Sequence, residues 1–269
     1  MRSPRSQPAK TQAPVRIPWR DGLDALALGT WSAMLLRYWL GGKLLLLLHP
    51  DYAWLSNTAA IVLLLLVGLT LFKIVKQMSG RGQTRGSASG IDAAHVTLMP
   101  PSISSALLLG VAVFGLIYTP QAFASETAMQ RGISDTLTLT RAQPQRFVRA
   151  APAEERTIID WIRLVNVYPE PDAYAGDAVS VEGFVIYPEG WPQDYIMVSR
   201  FVLTCCAADA YPVGLPVKLT QSNRDAYPVD SWLRVGGEMT SETLDGRRQL
   251  VIGPANIEAI ATPDNPYEY

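Results

Sequence analysis

Cysteine is nearly missing from this chain of 269 residues, and the two that occur are neighbours, Cys205 and Cys206. Adjacent cysteines cannot tie distant segments together, which excludes a disulfide-stapled domain. Histidine is as scarce, with two in all and none beyond His95. A Ser-His-Asp or Cys-His set therefore cannot be drawn from the C-terminal part alone, its carboxylates are scattered, and no P-loop type of phosphate cradle occurs. No catalytic set emerges, so the chain is not expected to be an enzyme. Acids are absent from the first 20 residues, where Arg2, Arg5, Lys10, Arg16 and Arg20 stand among Pro4, Pro8, Pro14 and Pro18. Residues 1–22 read as a disordered basic tail; a signal peptide's short apolar run and cleavage site are not evident, and the tail is expected to be retained. Basic residues are in turn scarce from Thr157 to Tyr269, seven Arg and Lys against sixteen Asp and Glu, a net charge of −9. Such a domain repels phosphate backbones, so nucleic acid is not an expected partner.

What the chain has in quantity is long apolar runs, concentrated in its first half. Residues 23–120 read as a membrane region of about three helices, 23–48, 54–72 and 102–120, with the lipid bilayer as their surroundings. The first run exceeds a bilayer's hydrocarbon thickness of about 30 Å. Either it tilts, or a helix ends near Trp39 and Leu40, breaks at Gly41 and Gly42, and leaves residues 43–52 as a surface or re-entrant piece. The second run carries no charge. The third is near the lower length limit for a span, and a buried core helix is its alternative. Lys73, Lys76, Arg81 and Arg85 follow the second run, whereas the short connection around residues 49–57 carries only Asp51. The positive-inside rule then predicts a multi-pass protein of the plasma (inner) membrane, with a cytoplasmic N-terminus and an extracytoplasmic C-terminal domain.

Residues 121–155 read as a connector containing Arg141, Arg146 and Arg149. A domain follows over 156–262, with a short tail at 263–269. Thr157 and Asp160 have capping-box spacing ahead of Ile158, Ile159, Trp161, Ile162 and Val165, which predicts a helix. From Val179 the apolar period changes to two. Further strands are expected at 196–206, 215–219 and 232–240, with a hairpin return at Asp245-Gly246 and a last strand at 257–261. The expected fold class is an α+β membrane protein, N-terminal transmembrane helices followed by a small mostly-β domain, an OB-like Greek-key barrel or an open sandwich.

Candidate site residues fall in two places. Arg37 and Lys43 lie in or beside an apolar run, where charge is expensive; they either serve a membrane or partner contact or snorkel to the interface. His49 and Asp51 offer an imidazole and a carboxylate, or simply form an aromatic-belt turn with Tyr52. The second place is the run Phe201-Val202-Leu203-Thr204-Cys205-Cys206-Ala207-Ala208-Asp209. Thiolates of Cys205 and Cys206 with an oxygen of Asp209 could hold zinc or another soft metal. Neighbours on a strand point to opposite faces, so both sulfurs reach one ion only if the strand bends or ends there. Packing and a redox role are the alternatives for the pair.

With these residues in view the chain resembles the YcgQ-like family. The resemblance is carried by Gly42-Lys43 through His49-Pro50 to Trp54-Leu55, by Tyr174-Ala175-Gly176 to Gly183-Phe184-Val185, and above all by Phe201 to Asp209 with Tyr211-Pro212-Val213-Gly214. It implies an accessory subunit of a two-component permease, working with a separate multi-span permease subunit of the type related to organoarsenical exporters. It also implies a link to metal or metalloid handling. The alternative function is a structural or assembly factor that binds another envelope protein through its β domain.

Overall fold

The computed structural model describes residues 18–78, 101–132, 152–220 and 223–269. The basic tail before residue 18, the linker residues Arg81 and Arg85, and the connector residues Arg141, Arg146 and Arg149 lie outside the described residues. The chain divides into two units, Met1–Leu40 with Leu55–Thr119, and Gly41–Trp54 with Pro120–Tyr269.

The first unit is helical. Helix α1 (Pro18–Leu40) starts on a proline, whose fixed φ suits the first helical position, and carries Asp21 in its first turn. Residues 18–22, expected to belong to the tail, are therefore helical. The helix stops where Gly42 adopts φ 68°, a left-handed conformation that glycine enters without steric cost. The expected span 23–48 is thus divided at Gly41-Gly42, and residues 43–46 form a separate 3-10 turn, Lys43–Leu46. Helix α2 (Pro50–Met78) begins earlier than expected, again on a proline. Among the described residues one stretch, Pro50–Lys76, is long and apolar enough to cross a membrane. Helix α3 (Pro101–Ile117) is apolar over Ser102–Ile117 but shorter than a full span.

Helices α1 and α3 are joined by side chains that serve a helix end. The last carbonyls of a helix have no partner within it. Arg37 donates to the Leu116 carbonyl at 2.8 Å, and the Tyr38 hydroxyl donates to the Gly115 carbonyl. Arg37 is therefore placed as a cap on the end of α3.

In the second unit, α5 (Ile158–Val167) precedes five strands: β1 (Ala178–Ile186), β2 (Tyr195–Val202), β3 (Tyr211–Lys218), β4 (Trp232–Leu244) and β5 (Arg247–Ile260). A sixth, β6 (Tyr267–Glu268), joins β2 in parallel; α4 (Ser125–Arg131) lies upstream in the same unit. The strand order β1-β4-β5-β3-β2 closes by a β1–β2 pairing, with β3 and β5 parallel at Val217↔Ile252. This is a closed five-stranded barrel of OB-like connection, and the open sandwich is set aside. Closure requires β1 to change partners: it pairs with β4 up to Phe184 and with β2 from Phe184 onward. Gly183 stands at that crossing, where an added Cβ would meet the Ser199 carbonyl oxygen at 2.5 Å, so only glycine lets the strands approach so closely.

The barrel interior follows from the period-two pattern. Val179, Val181, Val185, Val198, Val213, Leu215, Val235 and Ile252 point inward, and Ile158, Trp161 and Ile162 of α5 pack against them. Each such buried side chain contributes roughly 2 kcal/mol. The Thr157 and Asp160 capping box starts α5 as expected. Strand β2 ends at Val202, short of the expected 206, and 257–261 is the end of β5, because pairing with β4 continues past a register shift at Gly236/Gly237 to Trp232↔Ile260. The expected tail 263–269 belongs to the domain, since Tyr267 and Glu268 are buried and paired with Phe201 and Val202. Part of the expected connector is also structured: Ala128 of α4 and Leu46 of the 3-10 turn pack in a second cluster with Phe184, Phe201 and Tyr267.

Candidate functional site

The strand carrying the cysteines ends for a definable reason. After Val202, the Leu203 amide donates to the Glu268 carbonyl at 3.0 Å, and the backbone then turns. The Asp209 carboxylate collects the turn: it accepts the Cys205 amide at 2.9 Å, the Cys206 amide at 3.1 Å, and the Thr204 hydroxyl. Cys206 and Asp209 stand at capping-box spacing around the 3-10 turn Ala207–Asp209. Because the backbone bends at Thr204 and Cys205 before Cys206 is extended again, the simple alternation of sides is broken, and the two sulfurs lie 3.6 Å apart. One ligand atom from each of Cys205, Cys206 and Asp209 lies within 4.8 Å of the others. Cys205 is exposed and Cys206 partly so.

The electrostatics keep Cys205 protonated. The hydrogen bond from the Cys205 thiol to the Asp209 carboxylate, reinforced by the Cys206 thiol, pushes Cys205 up to about 11. Burial works to raise Asp209, but hydrogen bonds from Thr204, Cys206 and Cys205 outweigh it and hold the carboxyl below its ordinary value. The resting site is thus a carboxylate sharing thiol protons. A thiophilic cation can replace those protons, since the thiolate is the ligand form.

Two further segments frame the turn. The 43–49 strap between α1 and α2 runs antiparallel to it, with a bridge at Leu48↔Cys206, the His49 amide donating to the Cys205 carbonyl at 3.0 Å and the Ala207 amide donating to the Leu47 carbonyl at 2.8 Å. From the other segment, Arg131 of α4 donates to the Ala207 carbonyl at 3.3 Å and to the Ala210 carbonyl, its guanidinium resting over the Phe123 ring. The His49 ring meets Tyr269 edge-on at 4.8 Å, and its Nδ1 accepts the Asp51 amide at 3.1 Å. The Asp51 carboxylate lies 3.8 Å from the same nitrogen.

Of the expected site residues, Cys205, Cys206 and Asp209 come together, and His49 with Asp51 is brought beside them by the strap. Arg37 is elsewhere, on α1 and bonded to the end of α3, and Lys43 is exposed at the start of the 3-10 turn. Arg131, Thr204 and Tyr269 were not anticipated. Thr204 and Asp209 carried a readable signal, a hydroxyl and a carboxylate bracketing two amides; Arg131 and Tyr269 carried none, being remote in sequence.

Residues 157–269 match the family model of the DUF1980 C-terminal domain, so this domain, with the cysteine turn inside it, is present from α5 to the C-terminal tyrosine. No curated protein and no solved structure matches the chain.

Proposed function

We propose that this chain, with its DUF1980 C-terminal domain, is a membrane-anchored accessory subunit of a two-component permease, whose OB-like domain handles a metal or metalloid at Cys205, Cys206 and Asp209 outside the cytoplasm. The observation that carries this reading is the convergence of two thiols and a carboxylate within 4.8 Å on an accessible turn. The sulfur spacing fits chelation. Two sulfurs about 2.3 Å from one ion and 3.6 Å apart subtend roughly 103°, near the tetrahedral angle. The resemblance to the YcgQ-like family supports the permease partner.

Membrane insertion is supported by α2 and by a parity argument. The strap and the cysteine turn are hydrogen-bonded to each other, so they belong on one side of any bilayer. The chain leaving the strap must then cross an even number of times before α5. If α2 crosses, α3 crosses too, and the basic residues of the linker fall on the opposite face; those of the tail join them when α1 crosses as well, in keeping with the positive-inside rule.

A second reading, an assembly factor binding another envelope protein, draws on one fact: Asp209 is already occupied by the donors of its own turn. The two readings part in one experiment. The full chain in mild detergent should take up one Zn²⁺ or one trivalent arsenical, lose that uptake in the Cys205→Ser/Cys206→Ser variant, and co-purify a polytopic permease. No uptake by the wild type, with recovery of a non-transport partner, overturns the permease reading in favour of the second.

A further inference from the structure

The thiol pair fixes the coordination geometry it can serve and leaves a donor missing. A linear dithiolate ion would need its sulfurs roughly 4.6 Å apart at about 2.3 Å per bond, well beyond 3.6 Å. A tetrahedral ion fits, but it asks for two more donors. Asp209 is a poor source of both, because its oxygens hold the Cys205 and Cys206 amides and the Thr204 hydroxyl. Some donor from outside the turn is therefore called for.

The strap supplies one. Its backbone pairing opposes Leu48 to Cys206, and one step along, the His49 amide bonds the Cys205 carbonyl. The register therefore opposes His49 to Cys205, so the imidazole and the Cys205 thiol start from facing backbone positions. The ring is sheltered, at 17% exposure, and is held edge-on by Tyr269. A metal-ligating histidine typically donates its second ring N–H to a carboxylate or carbonyl. The Asp51 carboxylate lies 3.8 Å from Nδ1 in the present rotamer and, at 82% exposure, is free of packing that would stop it following the ring to accept that N–H once Nε2 is bound.

We propose that His49, oriented by Asp51, is a third protein ligand that completes a Cys₂His site for a divalent ion of the zinc class, so that metal loading fastens the strap between α1 and α2 to the cysteine turn. This rests on the metal reading of Cys205 and Cys206. His49 is not part of the ligand-atom cluster formed by the trio, so joining it takes a change of ring rotamer, with the backbone already in register. Loading releases the two thiol protons to solvent, and the imidazole exchanges its proton from Nε2 to Nδ1. The fourth position is left to one Asp209 oxygen, to water or to a donor from a partner.

The test uses the full chain in detergent with Co²⁺ as the probe and Zn²⁺ as its competitor. Wild type should show sulfur-to-cobalt charge transfer at one ion per chain. His49→Gln should weaken binding about tenfold or more, at least the loss typical of second-shell partners, and should shift the d–d bands. Asp51→Ala should weaken binding less and leave the bands in place. A second readout needs no variant at this position: the chain has only two histidines, so the ring signals of His49 can be assigned with a His95→Gln chain and should move on Zn²⁺ addition. Unchanged affinity, bands and ring signals overturn the role of His49 while leaving a thiol site standing. Failure of wild type to bind either ion overturns both.

Discussion

Asp209 shows how one carboxylate sets both the shape and the reactivity of a site. It gathers two backbone amides and a hydroxyl, which ends a strand and turns two thiols to the same side. The hydrogen bond from the Cys205 thiol to the same carboxylate, with the Cys206 thiol and burial adding to it, disfavours the Cys205 thiolate and lifts its pKa to about 11. The sign is simple: a raised thiol pKa means that alkylation accelerates with pH through about 11 rather than through the ordinary thiol range of about 8.5. Replacing the carboxylate should bring the thiolate population up at neutral pH. In a Cys206→Ser background, Asp209→Asn should raise the iodoacetamide rate at pH 8 by roughly tenfold or more, measured against a far-ultraviolet spectrum that confirms folding. An unchanged rate would mean that the carboxylate does not govern the thiol. Sequence alone marked the three residues as candidates but not this relation, because strand alternation argues that neighbouring side chains diverge, and nothing short of the turn itself shows where the alternation stops.

Among the elements, the two-residue strand β6 carries weight beyond its length. Tyr267 is buried between Phe123 and the barrel, and Glu268, 6% exposed, reaches the start of α5 to accept the Ile159 amide at 2.8 Å, with Arg200 at 3.7 Å. Burial pushes the Glu268 carboxyl up, and the Ile159 amide and the Arg200 charge only partly counter it. A carboxyl raised in the folded state contributes stability that is present below its unfolded value and is lost as pH rises through its folded value. At neutral pH the charged form is therefore a cost. Glu268→Gln, which keeps an acceptor for Ile159, should melt at or above the wild-type temperature at pH 7, and the gap should close as the pH falls toward 4.5. Glu268→Ala should instead cost about 1–3 kcal/mol, because the amide is left without a partner. A Gln variant markedly less stable than wild type would sink this account. None of β6 was legible in advance. The capping box at Thr157, the period of two from Val179 and the Asp245-Gly246 turn were legible because each is written within a few residues, and Asp245 and Gly246 do adopt positive φ. β6, α4 and the strap depend on partners far along the chain, such as Phe201↔Tyr267 and Leu48↔Cys206, and short local patterns cannot name such partners.

At the scale of the whole molecule, the pairing of strap and cysteine turn constrains the path of the chain more tightly than hydropathy does. Among the described residues, composition marks one helix, Pro50–Lys76, as long and apolar enough to span. The proposed topology adds α3 by parity. In a chain with Cys205→Ser and Cys206→Ser, a single cysteine introduced for Lys43 and another introduced for Glu155 should both react with a membrane-impermeant maleimide from outside intact cells. Labelling of one but not the other would separate the strap from the domain and break the parity argument. The same pairing also dates the site within the life of the molecule. Roughly 160 residues separate the bridged positions, so at about 5–20 residues per second a strap leaving the ribosome waits on the order of ten to thirty seconds for its partner to be made. Until then its amides at His49 and its carbonyl at Leu47 have nothing of this chain to hold. The metal site proposed here is therefore among the last features a nascent copy can acquire, and any ion delivered to it must arrive after synthesis is nearly complete.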